Sequence, residues 1–149
     1  MAELPAGSGR LPHGGYLTEL VNGLEDLGAA PRVWWLEGQE SPGADPVLAA
    51  VLEWAPGSHS ARCPTSDRRS LTVRWHSIRG WSYEWTLGTG PGAITATTAL
   101  AGPVIGDPIA VAEALVNVMD GGAPQEPPPD RWPDARALEA DMRLWHTRR

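Results

Sequence analysis

The sequence predicts an α+β domain in which a single antiparallel sheet of three to five strands packs against an N-terminal and a C-terminal helix, with a linker-tethered terminal helix beyond. Apolar residues recur at helical spacing from Tyr16 to Leu27, side chains alternate between apolar and polar over 71–87, and Asp107-Pro108 opens a second apolar helix. The predicted organisation is a flexible N-terminus at 1–14, the α+β domain at 15–120, a Pro-rich linker at 121–131 and an amphipathic helix at 132–147.

The first helix is predicted from a stripe of apolar side chains opposed by polar ones. Glu19, Asn22, Glu25 and Asp26 fill the polar side, and Gly28 suits the left-handed position that ends a helix. The apolar stripe consists of Tyr16, Leu17, Leu20, Val21, Leu24 and Leu27.

Strand signals follow the first helix. Residues 31–36 are β-branched and aromatic, and 47–54 fits a short buried helix or a two-sided strand, with strand favoured because prolines bracket it tightly. Residues 71–76 and 81–87 alternate cleanly around Gly80, which predicts an antiparallel hairpin with one buried face. Residues 93–100 predict a weak fifth strand.

Asp107 is predicted to cap the second helix, with Pro108 at its first position. Ile109, Ala112, Val116 and Met119 form its predicted apolar stripe. Four prolines between 123 and 130 indicate an extended linker. The predicted common core consists of Leu20, Leu24, Val73, Trp75, Trp81, Trp85, Ile109 and Val116.

Three segments carry a resemblance to a known family. They are Tyr16-Leu17 at a helix start, the hairpin from Leu71-Thr72-Val73-Arg74-Trp75 to Gly80-Trp81, and Gly106-Asp107-Pro108-Ile109-Ala110-Val111-Ala112. Through them residues 15–120 resemble a family of small actinobacterial proteins of unknown function, and no catalytic pattern comes with that resemblance. The layout is also similar to secretion-chaperone-like α+β folds, which implies protein binding by analogy.

Composition narrows the function classes. The chain has 149 residues, no lysine, 12 arginines and 18 acidic residues, for a net charge of −6. This charge disfavours binding to nucleic acid, whose phosphates require a basic surface. Neither a long apolar run nor a basic, apolar leader is present, and Cys63 is the single cysteine. We therefore expect a cytoplasmic protein that binds no membrane.

Four patterns that suggest a catalytic or ligand site favour simpler interpretations. Gly88–Gly92 lacks the helix and lysine of a phosphate loop, and His59 and Cys63 lack the paired spacing of a zinc site. Glu84 is expected to pair with Arg74 or His76 on a wet sheet face. The tryptophans lack the basic groove of a nucleic-acid platform, and Trp75, Trp81 and Trp85 are expected in the core. No catalytic, cofactor or metal residue is predicted.

Trp34 and Trp35 are the one anomaly, because consecutive strand residues point to opposite faces of a sheet. Both are buried only if both faces are covered. We expect the terminal helix to lie on the second face or on another chain, with either cis docking or a homodimer left open. The predicted function is a non-catalytic protein-interaction module, and the alternative is a small-molecule binder or enzyme with a Trp/Arg-lined pocket. The candidate partner-binding residues are Trp34, Trp35, Leu138, Met142 and Trp145.

Overall fold

The computed structural model describes residues 11–39, 47–55, 69–87, 94–100, 102–120 and 132–147. Three helices and five strands lie within these residues, and the predicted α+β class is confirmed. The predicted linker at 121–131 lies outside them. The helices are α1 (Gly14–Asp26), α2 (Pro108–Met119) and α3 (Ala135–Thr147), and the strands are β1 (Val33–Gln39), β2 (Val47–Trp54), β3 (Arg69–His76), β4 (Gly80–Leu87) and β5 (Ile94–Ala99).

The five strands form one open antiparallel meander in the order β1-β2-β3-β4-β5. The strand interpretation of 47–54 and the weak fifth strand are therefore confirmed. Trp34 pairs with Leu52, and Trp35 pairs with Val51, so the two tryptophans lie on opposite faces as predicted. We call the face of Trp34 and Leu52 the helical face and that of Trp35 and Val51 the open face.

The core lies between the helical face and the helices. Six of the eight predicted core residues are buried, while Trp85 is only half-buried. Ile109 was predicted to be buried, and this is wrong, because its exposed fraction is 62%. It lies in the first turn of α2 on the outward side shared with Glu113, four residues later. The buried stripe of α2 instead includes Val111, Ala112, Leu115, Val116, Val118 and Met119.

The predicted helix ends are confirmed by their geometry. Gly28 has a φ of +74°, the left-handed conformation that ends α1 at low cost. At the start of α2, the Asp107 carboxylate accepts a hydrogen bond of 3.1 Å from the backbone N–H of Ala110. Pro108 occupies the first turn, where a missing N–H costs nothing.

Helix α3 packs on the helical face, so the prediction that it covers the second sheet face is wrong. Its Leu138 and Met142 join the same buried core as α1 and α2. Trp145 lies over β1, since a Cβ added at Gly38 would be 3.1 Å from its ring, and Gly38 pairs with Leu48 of the helical face. The physical reason is that β1 also carries apolar side chains on the helical face, Trp34 and Leu36, which are partly removed from water by packing against this core.

Two segments at the ends of the chain join this core. Residues 11–14 were predicted to belong to a flexible N-terminus, whereas His13 is fully buried at the start of α1. Its ring stacks on Trp75, with 5.4 Å between the centroids. Before α3, the ring of Trp132 packs against the ring of Tyr16, with 5.1 Å between the centroids. The backbone N–H of Trp132 donates to the Ile105 carbonyl. The residues described before α1 and in the terminal segment therefore extend the core of the predicted domain.

Candidate functional site

The open face carries the most distinctive surface of the described residues. Strand pairing places one row of side chains straight across the sheet: Trp35 on β1, Val51 on β2, Arg74 on β3, Ser82 on β4 and Ala99 on β5. All three helices pack on the other side of the sheet, so the described elements leave this row uncovered. An antiparallel sheet with one covered and one wet face is expected to show such a row.

A second row runs parallel to the first and ends at the β3–β4 turn. It consists of Glu37, Ala49, His76 and Gly80. Gly80 has a φ of +80°, the positive region that the turn into β4 requires. His76 ends β3, and Arg79 lies in the turn between β3 and β4, so the two residues lie at the same end of this row.

The two rows enclose a concavity of about 680 Å³. Its floor is low because the side chains of Ala49, Ser82 and Ala99 are small, whereas Trp35 and the basic residues form its walls. Ligand sites in proteins have volumes of about 300–1,000 Å³. We call this concavity with its lining the open-face site; its lining includes Trp35, Glu37, Ala49, Val51, Arg74, His76, Arg79, Ser82, Thr97 and Ala99.

Trp35 is held in place on the open face by its own strand. Its indole N–H donates a 2.9 Å hydrogen bond to the carboxylate of Glu37, two residues along on the same side. Trp35 and Arg74 flank Val51 in the row, and Val51 is only 5% exposed although it lies on the open face. The open-face site therefore has an apolar end with a positioned aromatic ring.

Arg74 and Glu84 form the predicted cross-strand pair. The guanidinium Nη1 of Arg74 lies 2.9 Å from Glu84 Oε2, and the side chains are 54% and 20% exposed respectively. Both residues point to the open face, one pairing step apart on β3 and β4. This confirms a solvated ion pair, which is worth little to stability but fixes the direction of Arg74.

His76 has a defined tautomer because of its backbone partners. Its Nδ1 lies 3.1 Å from the N–H groups of both Ile78 and Arg79, and these groups can only donate. Nδ1 therefore accepts, and the proton of the neutral ring resides on Nε2. Burial, and then the nearby charge of Arg79, lower the pKa of His76 below 6.5, so the ring is neutral at pH 7. His76 thus offers an N–H donor at the open-face site.

The most buried ionisable residues lie outside the open-face site. Tyr16 donates its hydroxyl proton to the Gly106 carbonyl at 2.7 Å and accepts from the Trp81 indole at 3.3 Å. Burial strongly raises the Tyr16 pKa. This pattern ties α1 to the sheet and to the segment before α2, which is a structural role.

The five predicted partner-binding residues divide between the two faces. Trp35 alone lines the open-face site, and Trp34 packs against the core on the helical face. Leu138, Met142 and Trp145 pack within their own chain. Sequence reasoning did not identify the small floor residues or Arg79 as part of a site. The alternation of 71–87 contained the signal, since it assigns Arg74, His76 and Ser82 to a common face once the register is known.

Several other candidates carry no site in the described structure. His59, Cys63 and Gly88–Gly92 lie outside the described residues. Among the residues that are described, no group of three or more His, Cys, Asp or Glu side chains is arranged to hold a metal ion. Likewise, none of the helices α1 to α3 has the length and apolar character needed to cross a membrane.

No protein-family model, curated protein or solved structure matches this chain significantly.

Proposed function

We propose that this protein is a non-catalytic module that binds another protein through the open face of its sheet. The observation that carries the proposal is the position of Trp35, which lies on the face that the described elements leave uncovered, while α1, α2 and α3 pack on the other side. Tryptophan and arginine are the residue types that most often dominate binding energy at protein interfaces. Trp35 and Arg74 lie in one row of the open-face site, and each is oriented by a carboxylate.

The placement of α3 shapes this proposal. Its apolar residues Leu138 and Met142 are buried against the chain itself, so they support the fold rather than a partner. The sequence also left open a homodimer formed through this helix. The apolar stripe that would form such an interface is buried within the chain itself. The open face is therefore the favoured binding surface.

The test compares proteins captured by the full chain and by two variants from a lysate of the source organism. Trp35→Ser removes the ring from the open-face site, while Ile109→Ser removes an exposed apolar side chain from α2 as the matched control. We expect Trp35→Ser to lose the captured partner, and Ile109→Ser and Trp35→Phe to retain it. Circular dichroism would verify that all variants are folded. The proposal is wrong if Trp35→Ser captures the same proteins as the unmodified chain.

A small-molecule ligand is the second candidate function, because the open-face site has a suitable volume of about 680 Å³ and its lining includes Trp35 and two arginines. A thermal-shift screen against metabolites tests it. A ligand at 100 times its dissociation constant stabilises the fold by about 2.7 kcal/mol. A stabilising hit that Trp35→Ser abolishes would favour this function over protein binding.

A further inference from the structure

The β3–β4 turn concentrates hydrogen-bond donors at one end of the open-face site. Arg79 is exposed, and within the described part of the chain its guanidinium forms no ion pair. His76 lies beside it with its Nε2 proton available, because Nδ1 is occupied by two backbone N–H groups. Both groups can donate hydrogen bonds to an acceptor on a bound ligand. A carboxylate binds guanidinium and imidazole N–H groups more strongly than a neutral acceptor does.

Three described carboxylates lie on the open face, and none of them belongs to the β3–β4 turn. Glu84 accepts from Arg74, and Glu37 accepts from the indole of Trp35 on β1, two strands from His76. Glu53 pairs with Thr72 on β3 and lies four residues along β2 from Ala49, the neighbour of His76. The turn is therefore a corner that carries the positive charge of Arg79, in a chain whose net charge is −6. Charge complementarity at this corner favours an acidic ligand.

The shape of the site favours an extended chain over a small anion. The site is lined by residues from β1 to β5, and four strand spacings of about 4.8 Å give a length of about 19 Å. An extended peptide advances about 3.3 Å per residue, so five or six residues cover that distance. Trp35 lies two strands across the sheet and two residues along the strand from His76, about 12 Å away, and its neighbour Val51 lies one strand closer, at about 8 Å. An extended peptide covers these distances with about two to four residues.

The geometry points to an acidic, extended segment of a partner protein as the occupant of the open-face site. A carboxylate of this segment lies at His76 and Arg79, and an apolar side chain two or three residues away packs against Trp35 and Val51. This inference rests on the proposed function and specifies the chemistry of the partner.

The test selects random seven-residue peptides, displayed on phage, for binding to the full chain. We expect selected sequences to share an Asp or Glu two or three residues from an apolar residue. The best peptide is then synthesised with its acidic residue intact and as glutamine. We expect the glutamine peptide to bind about fivefold more weakly, the upper end for a solvent-accessible ion pair. Arg79→Gln should weaken the acidic peptide by the same factor and leave the glutamine peptide unchanged.

Controls separate this inference from the proposed function. Arg136→Gln, which removes an exposed arginine from α3, should leave every affinity unchanged. Peptides that require Trp35 but show no acidic preference would overturn the inference and leave the proposed function standing. Peptides that bind Trp35→Ser as well as the unmodified chain, or no selected peptide at all, would count against both. A dimer in solution that Arg79→Gln dissociates would identify a second copy as the occupant and would also overturn the inference.

Discussion

Tryptophan side chains on the two faces of the sheet donate their indole N–H groups to different kinds of partner. On the helical face, the indole N–H groups of Trp54 and Trp75 donate to the backbone carbonyls of Ala29 and Val104, at 3.0 and 2.7 Å. On the open face, Trp35 donates to the side chain of a neighbour on its own strand. The partners of the buried tryptophans lie 25 and 29 residues away along the chain. These two hydrogen bonds therefore form only when the chain folds.

This contrast indicates which face holds the fold together and which is available to a partner. A buried Trp needs a partner for its N–H, and here that partner also links distant segments. Trp35 needs no distant segment for its position. The helical face is therefore expected to dominate stability, and the open face to tolerate substitution with small losses.

The largest effect is expected at the centre of the helical face. Leu24 of α1 is fully buried, and Leu24→Ala removes apolar contacts and leaves a cavity. Such a change costs about 2–5 kcal/mol. Urea unfolding followed by circular dichroism measures it. Thr97→Ala, at an exposed position on the open face, is the control and should change the free energy of unfolding by less than about 0.5 kcal/mol. A loss below about 1 kcal/mol for Leu24→Ala would mean that α1 does not pack tightly on the sheet.

The second effect tests whether α3 belongs to the helical face. Leu138 is buried within the core, and Leu138→Ala should cost about 2–3 kcal/mol, the lower part of the range for such truncations. Leu144 lies on the same helix but is exposed, so Leu144→Ala is the matched control and should cost less than about 0.5 kcal/mol. Equal, small losses for the two variants in urea unfolding would show that α3 is detached from the sheet in solution.

These comparisons show which parts of the molecule follow from local sequence. The start of α2 at Asp107 and the end of α1 at Gly28 depend on residues within one turn of each position, and both were predicted. The opposite facing of Trp34 and Trp35 follows from strand geometry alone and was also predicted. Interactions between residues close in sequence were therefore enough to predict these helix ends and the sheet faces on which the two tryptophans lie.

Features that depend on distant segments were missed. Ile109 fits an apolar stripe by spacing, but the direction from which the sheet approaches α2 leaves it outside. Helix α3 is apolar enough to cover either face, and its position depends on how much of β1 the other two helices leave open. The open-face site depends on registers that join β1 through β5. None of these quantities is encoded within a short window of sequence.

A pH dependence of intermediate size is expected from His13 on the helical face. Its Nε2 donates to the Ala49 carbonyl at 2.7 Å, and its buried Nδ1 has no partner among the described residues. Burial lowers its pKa below 6.5 despite that hydrogen bond. As the pH falls below 6.5, the unfolded chain gains protons before the folded one, so stability is complete above this pH and decreases below it. The loss is at most about 1.4 kcal/mol per pH unit for each such histidine.

Urea unfolding at pH 7.5, 6.5 and 5.5 measures this dependence. His13→Asn should flatten the decrease, while His76→Asn should remove the smaller contribution of the open face, whose histidine also has a lowered pKa. Stability that is constant or rising between pH 6.5 and 5.5 in the unmodified chain would contradict the burial of a neutral His13.

The smallest effect is expected for the ion pair on the open face. Arg74 and Glu84 lie 2.9 Å apart, but water reaches both side chains, and a solvated pair of this kind contributes about 0.2–1 kcal/mol. A double-mutant cycle with Arg74→Ala and Glu84→Ala, followed by urea unfolding, isolates that coupling. Raising the salt from about 0.1 to 1 M should reduce it, because the screening length falls from about 10 to 3 Å. A salt-insensitive coupling above about 2 kcal/mol would place the pair in a dry environment, and the open face would then be covered rather than exposed.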